Sequence, residues 1–378
     1  MRAERLRAVV WRLLAVAVGL ALSAGVMALT GNDITGFVGA IADGFGSNLD
    51  STLRWFAPLL LAGVAGAIAF RDGALNLGLD GQIFIGGAAS ATVAIVVGPS
   101  LPPAVVLVFA VAAGIVGGAL VAGFAGLLRL WFGTPEVITT LVLNPLCALF
   151  VTWLAGGPLA AESAGGNTES SAILPPALWL PSLAPGSLAS VAVYLAVGVL
   201  VATGVYYAWT TWGFESRVFG ASPQFAFYAG IPNVRVYFRA MLASGGIAGL
   251  VGAGEVLGVQ HRLAKGFNPG LGFDGIAVAL VAGLSIVGLA FSALLFALLR
   301  QAGEVAQITL GIPAELVDVM IALIILTTSV PAAVFWHRRS RRRRESRSSA
   351  APPTPPSRQP QEDAPAHVLD SPQGQPSV

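Results

Sequence analysis

Phe70-Arg71-Asp72-Gly73-Ala74-Leu75-Asn76-Leu77-Gly78-Leu79-Asp80-Gly81-Gln82 is a polar, glycine-rich interruption between two strongly apolar segments. An echo, Leu271-Gly272-Phe273-Asp274-Gly275, opens another apolar segment late in the chain. Glycine and carboxylate at membrane depth are costly unless their backbone lines a cavity or packs inside protein. Paired interruptions at corresponding places in two halves point to a transport path. The alternative is that a short Gly/Asp match arose by chance.

Working outward, the flanks decide the class. Hydrophobic residues make up 55% of the 378 residues and charged residues 11%, against about 25% charged in soluble domains. Ile83 to Leu128 holds no ionisable side chain. That run suits two spans of roughly 20 residues each, with Gly98-Pro99-Ser100-Leu101-Pro102-Pro103 as the turn. The fold class is an all-α integral membrane protein. We expect ten spans, near 8–29, 53–70, 78–98, 103–128, 137–156, 188–209, 237–257, 273–284, 287–302 and 314–336. The eighth is too short to cross alone as a straight helix, and is either a half-helix or leans on unwound backbone at Asn268-Pro269-Gly270-Leu271-Gly272. The basic, then apolar N-terminus can also be read as a signal peptide, but Arg12 breaks its core and 8–29 is long enough to span.

Arginine placement sets the orientation. With the N-terminus inside, Arg2, Arg5, Arg7, Arg12, Arg71, Arg129, Arg217, Arg235, Arg239 and the C-terminal cluster are cytoplasmic. Outside fall Arg54, Arg262, Lys265 and Arg300, together with a 157–187 loop free of Lys and Arg. Both termini are then cytoplasmic, and the two Asp-Gly motifs lie on opposite sides. Two five-helix halves so related are inverted repeats. Small residues at Ala110, Gly114, Gly118, Ala122 and Gly126, and at Gly245, Gly249 and Ala253, form stripes that let helices approach closely. Residues 1–336 form the membrane domain. Residues 337–378 begin with His337-Arg338-Arg339-Ser340-Arg341-Arg342-Arg343-Arg344, suited to anionic lipid headgroups. They continue in Pro, Ser and Gln that cannot bury a core, so a disordered tail is expected.

Chemistry of the enzymatic kind is not visible. All but Lys265 of the 21 basic residues are arginine, and Lys265 is in no phosphate-cradling Gly-x-x-x-x-Gly-Lys-Ser/Thr loop. His261, His337 and His367 are dispersed, Cys147 is alone, and neither a metal site nor a cofactor site is expected. The basic run follows a span, so lipid and not nucleic acid is its expected partner. One polar stretch stands out: Gly220-Ala221-Ser222-Pro223-Gln224-Phe225-Ala226-Phe227-Tyr228-Ala229-Gly230. Ser222 can cap a short helix with Pro223 at its first position, and Gly230 can end it. Such a helix on the cytoplasmic side either docks a partner or lies on lipid.

The chain resembles the permease subunits of bacterial ABC importers for nucleosides and simple sugars, in the branched-chain amino acid/ribose permease superfamily. The residues that carry the resemblance are Asn76 to Gln82, Glu136-Val137-Ile138-Thr139-Thr140-Leu141-Val142-Leu143-Asn144, Tyr228 to Ile231, Ala253 to Gly258, Gly272 to Leu280, and Pro313 to Val319. Glu255-Val256-Leu257-Gly258 and Gly272-Phe273-Asp274-Gly275 are most similar to the nucleoside branch. The resemblance implies a second permease copy, identical or related. It also implies cytoplasmic ATPase subunits docked on the Gly220–Gly230 loop and a substrate-binding lipoprotein outside. The implied location is the bacterial plasma membrane. Ribose, a simple sugar or riboflavin stay open as solutes, and an ion-coupled secondary transporter stays open as a class.

A nucleoside path needs amide and hydroxyl partners and few full charges. Asn76, Gln82, Thr139, Thr140 and Asn144 fit, with Phe84 or Phe273 to stack a base. Each can equally be a helix–helix hydrogen bond. Asp80, Glu255 and Asp274 complete the candidate pathway set, and Glu136, Glu304 and Asp318 are further acids in or near spans.

Overall fold

The computed structural model describes residues 34–161 and 169–311, with scattered positions between 14 and 29 and between 316 and 327. The helices belong to the unit Met1–Ala332. Part of the expected first span, most of the tenth and the whole 337–378 tail lie outside the described residues.

The elements are helices joined by short turns: α1 (Ile34–Asp43), α2 (Leu49–Arg71), α3 (Leu79–Val97), α4 (Pro103–Phe132), α5 (Glu136–Gly156) and α6 (Ala192–Trp209), then α7 (Thr211–Ala221), α8 (Pro223–Tyr228), α9 (Asn233–Glu255), α10 (Leu271–Val281) and α11 (Ile286–Leu310). Among the described residues, seven helices are long and apolar enough to cross a membrane: α2 to α6, α9 with its extension to Gln260, and α11. They correspond to the second to seventh and the ninth expected spans. The eighth is α10, with 11 residues, too short to cross alone. The amphipathic α1 (Ile34–Asp43) is not anticipated by the span reading.

Local chemistry marks the ends. Pro103 starts α4, and Gly133 closes it with φ 66° and its N–H on the Arg129 carbonyl, since a left-handed residue there satisfies an orphan carbonyl. Ser285 caps α11 through the Gly288 N–H at 2.9 Å. Five residues of π-helix, Val256–Gln260, end α9. The stretch beyond it is covered by the 169–181 segment. Ser171 N donates to Leu263 O and Leu174 N to His261 O, both at 2.7 Å, and Leu180 N to Leu257 O at 2.9 Å. This pairing is more order than a bare outside loop implies.

Of the seven candidate spans, α2 and α9 are the most enclosed. The first packs along α10, α11 and α6, and the second along α3 and α4. The two small-residue stripes face one another. A Cβ on Gly118 would lie 2.2 Å from Gly245 O, one on Gly249 2.1 Å from Gly114 O, and one on Gly114 2.8 Å from the Ala253 Cβ. Rising numbers on α4 meet falling numbers on α9, so the helices run antiparallel at near backbone contact.

Arg54, expected in an outside loop, and Arg300, expected near a helix end, both lie within helices. Arg54 is the sixth residue of α2 and pairs with Glu255 at 3.2 Å. Arg300 lies inside α11 and pairs with Asp274 at 2.7 Å and Asp318 at 2.9 Å. An arginine whose charge is matched by a buried acid no longer reports the side of the membrane.

Candidate functional site

The interruption between α2 and α3 is an irregular strand of backbone laced to α5. Leu75 N donates to Glu136 Oε1 at 3.0 Å, and Leu77 N to Thr140 Oγ1 at 3.3 Å. Asn144 accepts from Gly81 N at 2.8 Å and donates to Leu77 O at 3.0 Å. Asn76 is completely engaged. Its Nδ2 donates to Gln82 Oε1 and Ser244 Oγ, both at 3.0 Å, and its Oδ1 accepts from Gly78 N at 3.0 Å and Gln82 Nε2 at 2.9 Å. An amide with both donors and both lone pairs used has nothing left for a solute. Asn76, Gln82, Thr140 and Asn144 thus form one buried brace. Thr139 stands apart, half-buried, its hydroxyl donating to the Glu136 carbonyl at 3.0 Å.

Asp80 joins the two motifs. Its Oδ1 accepts from Asn268 Nδ2 and from Gly272 N, each at 2.8 Å. Asp80 is the second residue of α3 and Gly272 the second of α10, so two helix N-termini abut across one carboxylate. The contact is close: a Cβ on Gly272 would lie 2.4 Å from Asp80 N. Unpaired N–H groups and the helix dipoles favour negative charge at such ends. Asp80 supplies that charge to both helices, and no arginine among the described residues pairs with it. Asn268 turns its Oδ1 to Gly270 N and Leu271 N at 3.2 and 2.8 Å, which fixes the entry to α10. Asn268 is the member of this junction that the sequence reading mentions only as unwound backbone. Its Asn-Pro-Gly context is the signal that could have found it.

The other acids are partnered. Glu136 pairs with Arg129 and accepts from Tyr237 Oη at 3.3 Å. Glu304 accepts from Trp55 Nε1 at 2.9 Å. Beside the Arg54–Glu255 pair is a cavity of about 20 Å³ lined by Leu53, Ala57, Leu61, Ser190 and Val193, a volume near that of one water. Of the aromatic candidates, Phe84 is half-buried with its ring edge-on to Phe267 at 5.3 Å. Phe273 is 51% exposed at the start of α10.

The short helix expected near Gly220–Gly230 is α8. Ser222 Oγ accepts from Phe225 N at 3.3 Å, Pro223 follows, and Gly230 has φ 77°. Ala226 lies within the Gly220–Gly230 stretch expected to dock a partner. The structure turns it inward, wholly buried with Ala74, Phe219, Val236 and Tyr237. The outer face is Phe225, Phe227 and Tyr228, which are 64%, 69% and 87% exposed. Ala221, Pro223, Ala229 and Gly230 are exposed beside them.

A helical bundle with an inward pair of interrupted segments and few free charges defines a membrane carrier. Residues 48–329 match the family described as branched-chain amino acid transport system / permease component. The chain belongs to that permease family, and with its seven candidate spans it is a multi-pass membrane protein. It is 32% identical to the nucleoside ABC transporter permease protein NupB of Lactococcus lactis, over 85% of this chain and 91% of that one. It is also 32% identical to the guanosine ABC transporter permease protein NupP of Bacillus subtilis, over 85% and 93% of the two chains. Identity to the glucose ABC transporter permease protein TsgB13 of Haloferax volcanii is 35%, over 77% of each. Comparison with solved structures gives no match.

Proposed function

We propose that this chain is the pore-forming permease of an ABC importer for nucleosides. In this reading, residues 1–336 form the pore with a second permease copy. Residues 337–378 are a cytoplasmic tail on anionic lipid. ATPase subunits dock on α7–α8, and a binding lipoprotein delivers the solute from outside, across the plasma membrane. The carrying observation is the match, along most of both chains, to permeases named for nucleoside and for guanosine.

The site's chemistry supports a neutral solute. Half-helix N-termini in carriers can bind anionic solute groups, but Asp80 already fills that position, so an anion gains little there. Ion-coupled transport is disfavoured by the same bookkeeping. Glu136, Glu255 and Asp274, which a proton- or sodium-coupled carrier would use, are held by Arg129, Arg54 and Arg300. A simple sugar is the second reading, favoured by the relative named for glucose.

Two inverted five-helix repeats among ten spans are part of the proposal. In their support, α2 packs on α10 and α11 as α9 packs on α3 and α4. Arg54 near the start of α2 meets Glu255 at the end of α9, so these two helices are antiparallel.

The test is uptake by proteoliposomes holding the permease with its ATPase and binding protein. Labelled guanosine or uridine accumulates only with ATP inside the ATPase compartment. Accumulation driven by a proton or sodium gradient without ATPase removes the importer reading. Phe273 is the exposed ring assigned to base stacking, which is worth about 1–3 kcal/mol. Phe273→Ala therefore raises the apparent KM for nucleoside about tenfold, and Phe273→Trp keeps it near wild type.

A further inference from the structure

We propose that residues 72–80 form a taut strap that passes movement of α7–α8 to the Asp80 junction, with Gly220, Asp72 and Tyr207 as its positioning residues. The proposal rests on the reading of α7–α8 as the ATPase-docking element.

Three contacts fasten the strap to α6–α8. The first is backbone on backbone: a Cβ on Gly220 would lie 2.0 Å from Arg71 O and 3.4 Å from the Asp72 Cα. A Cβ on Gly73, which has φ 75°, would lie 3.7 Å from the Gly220 Cα. Only glycine permits α7 to end there without a shift. The second is polar. Tyr207 Oη, near the end of α6, donates to the buried Asp72 Oδ1 at 2.7 Å, while the Arg71 guanidinium lies 4.2 Å over the Tyr207 ring. Tyr206 Oη meets Ser216 Oγ of α7 at 3.0 Å. The third is apolar: Ala74 shares one buried cluster with Phe219 of α7 and Ala226 of α8.

Beyond Ala74 the strap has no slack. Leu75, Asn76 and Leu77 each bond to the Glu136–Thr140–Asn144 face or to Gln82 and Ser244, while Gly78 N donates back to Asn76 Oδ1 and Gly78 O accepts from Gln82 N. Close-packed, hydrogen-bonded segments shift as units and do not deform continuously. A displacement entering at Gly220 is therefore delivered at Asp80, whose carboxylate holds the N-terminus of α10 through Gly272 N. The strap links the proposed ATPase-docking element to the junction where the two interrupted segments touch at Asp80.

The experiment uses the complete reconstituted transporter and reads solute imported per ATP hydrolysed, with ATPase co-purification as a separate readout. Tyr207→Phe removes only the hydroxyl that holds Asp72. It is expected to retain bound ATPase and ATP hydrolysis while solute per ATP falls about fivefold or more. Gly220→Ala, which forces the strap away from α7, uncouples further if it assembles, and Tyr207→Phe decides if it does not. Wild-type ratios in both Tyr207→Phe and Asp72→Asn overturn the strap. So does a joint loss of bound ATPase, hydrolysis and uptake, which would make these residues supports of the docking face alone. A wild-type complex that hydrolyses ATP without importing removes the importer reading, and the strap falls with it.

Discussion

His261 stands at φ 53° just beyond the π-helical end of α9, its ring stacked on Trp179 at 3.8 Å. Burial lowers its pKa from the ordinary 6.5, against the opposing pull of the Leu257 carbonyl. The folded chain then binds fewer protons than the unfolded chain below 6.5, so stability is full above that value and falls as pH drops through it. Asp72 acts with the opposite sign: burial raises its pKa, outweighing the Tyr207 and Ser216 hydrogen bonds, so its contribution declines as pH rises from the carboxylate range. Comparing variants isolates the histidine. His261→Phe keeps an aromatic ring on Trp179, and its melting temperature is expected to change less between pH 7.5 and about 5.5 than that of wild type. Equal slopes would show that some other group carries the acid sensitivity. At this scale the sequence shows which polar residues lie in or near the spans but not their partners. Asp80 and Asn268, or Arg54 and Glu255, lie nearly two hundred residues or more apart, and no local spacing announces such pairs. The amides chosen for solute contact are, for the same reason, engaged with one another.

Helices and their stripes were the legible part. Charge-free runs and glycine-rich turns locate α2 to α6, α9 and α11 because spanning length is a physical minimum. The four-residue spacing of glycine and alanine marks the faces of α4 and α9 that meet. The sequence does not say that the two stripes meet each other, since either could have served another helix. Nor does a span count reveal α1, whose ten residues are too few to cross. The α4–α9 seam is testable. Gly118→Val places a branched side chain where even a Cβ would be 2.2 Å from Gly245 O and 2.6 Å from Gly249 N. Overpacking against backbone costs about 1–3 kcal/mol or more, so the variant should elute as aggregate or melt at distinctly lower temperature in detergent. Gly198→Ala on α6, where a Cβ meets open space, should be neutral or slightly stabilising, because alanine is the better helix former. Similar behaviour of the two variants would mean that the seam is not tightly packed.

For the molecule as a whole, orientation ties the fold to the direction of transport. The start of α2, the end of α9 and the 187–190 turn gather at one end of the bundle through Arg54–Glu255 and through Asp50, which accepts from Ser187 and from Leu188 N. The end of α2 meets α7 and α8 at the other. The proposed orientation puts the first end outside and the second in the cytoplasm, next to the ATPase. With Arg54, Arg300 and Arg129 matched by buried acids and Arg239 paired with Glu215, the arginines left to report orientation are Arg71, Arg217 and Arg235, which fall on the α7–α8 side in this arrangement. Cysteine scanning decides it. Cys147 is buried and is first replaced by serine. A cysteine at Ala177, exposed in the 169–181 segment, should react with a membrane-impermeant maleimide in intact cells. A cysteine at Gln224, exposed on α8, should react only after permeabilisation. Labelling of Gln224→Cys and protection of Ala177→Cys in intact cells would invert the molecule. The α7–α8 face would then be outside, out of reach of any cytoplasmic ATPase, and the strap would have nothing to transmit.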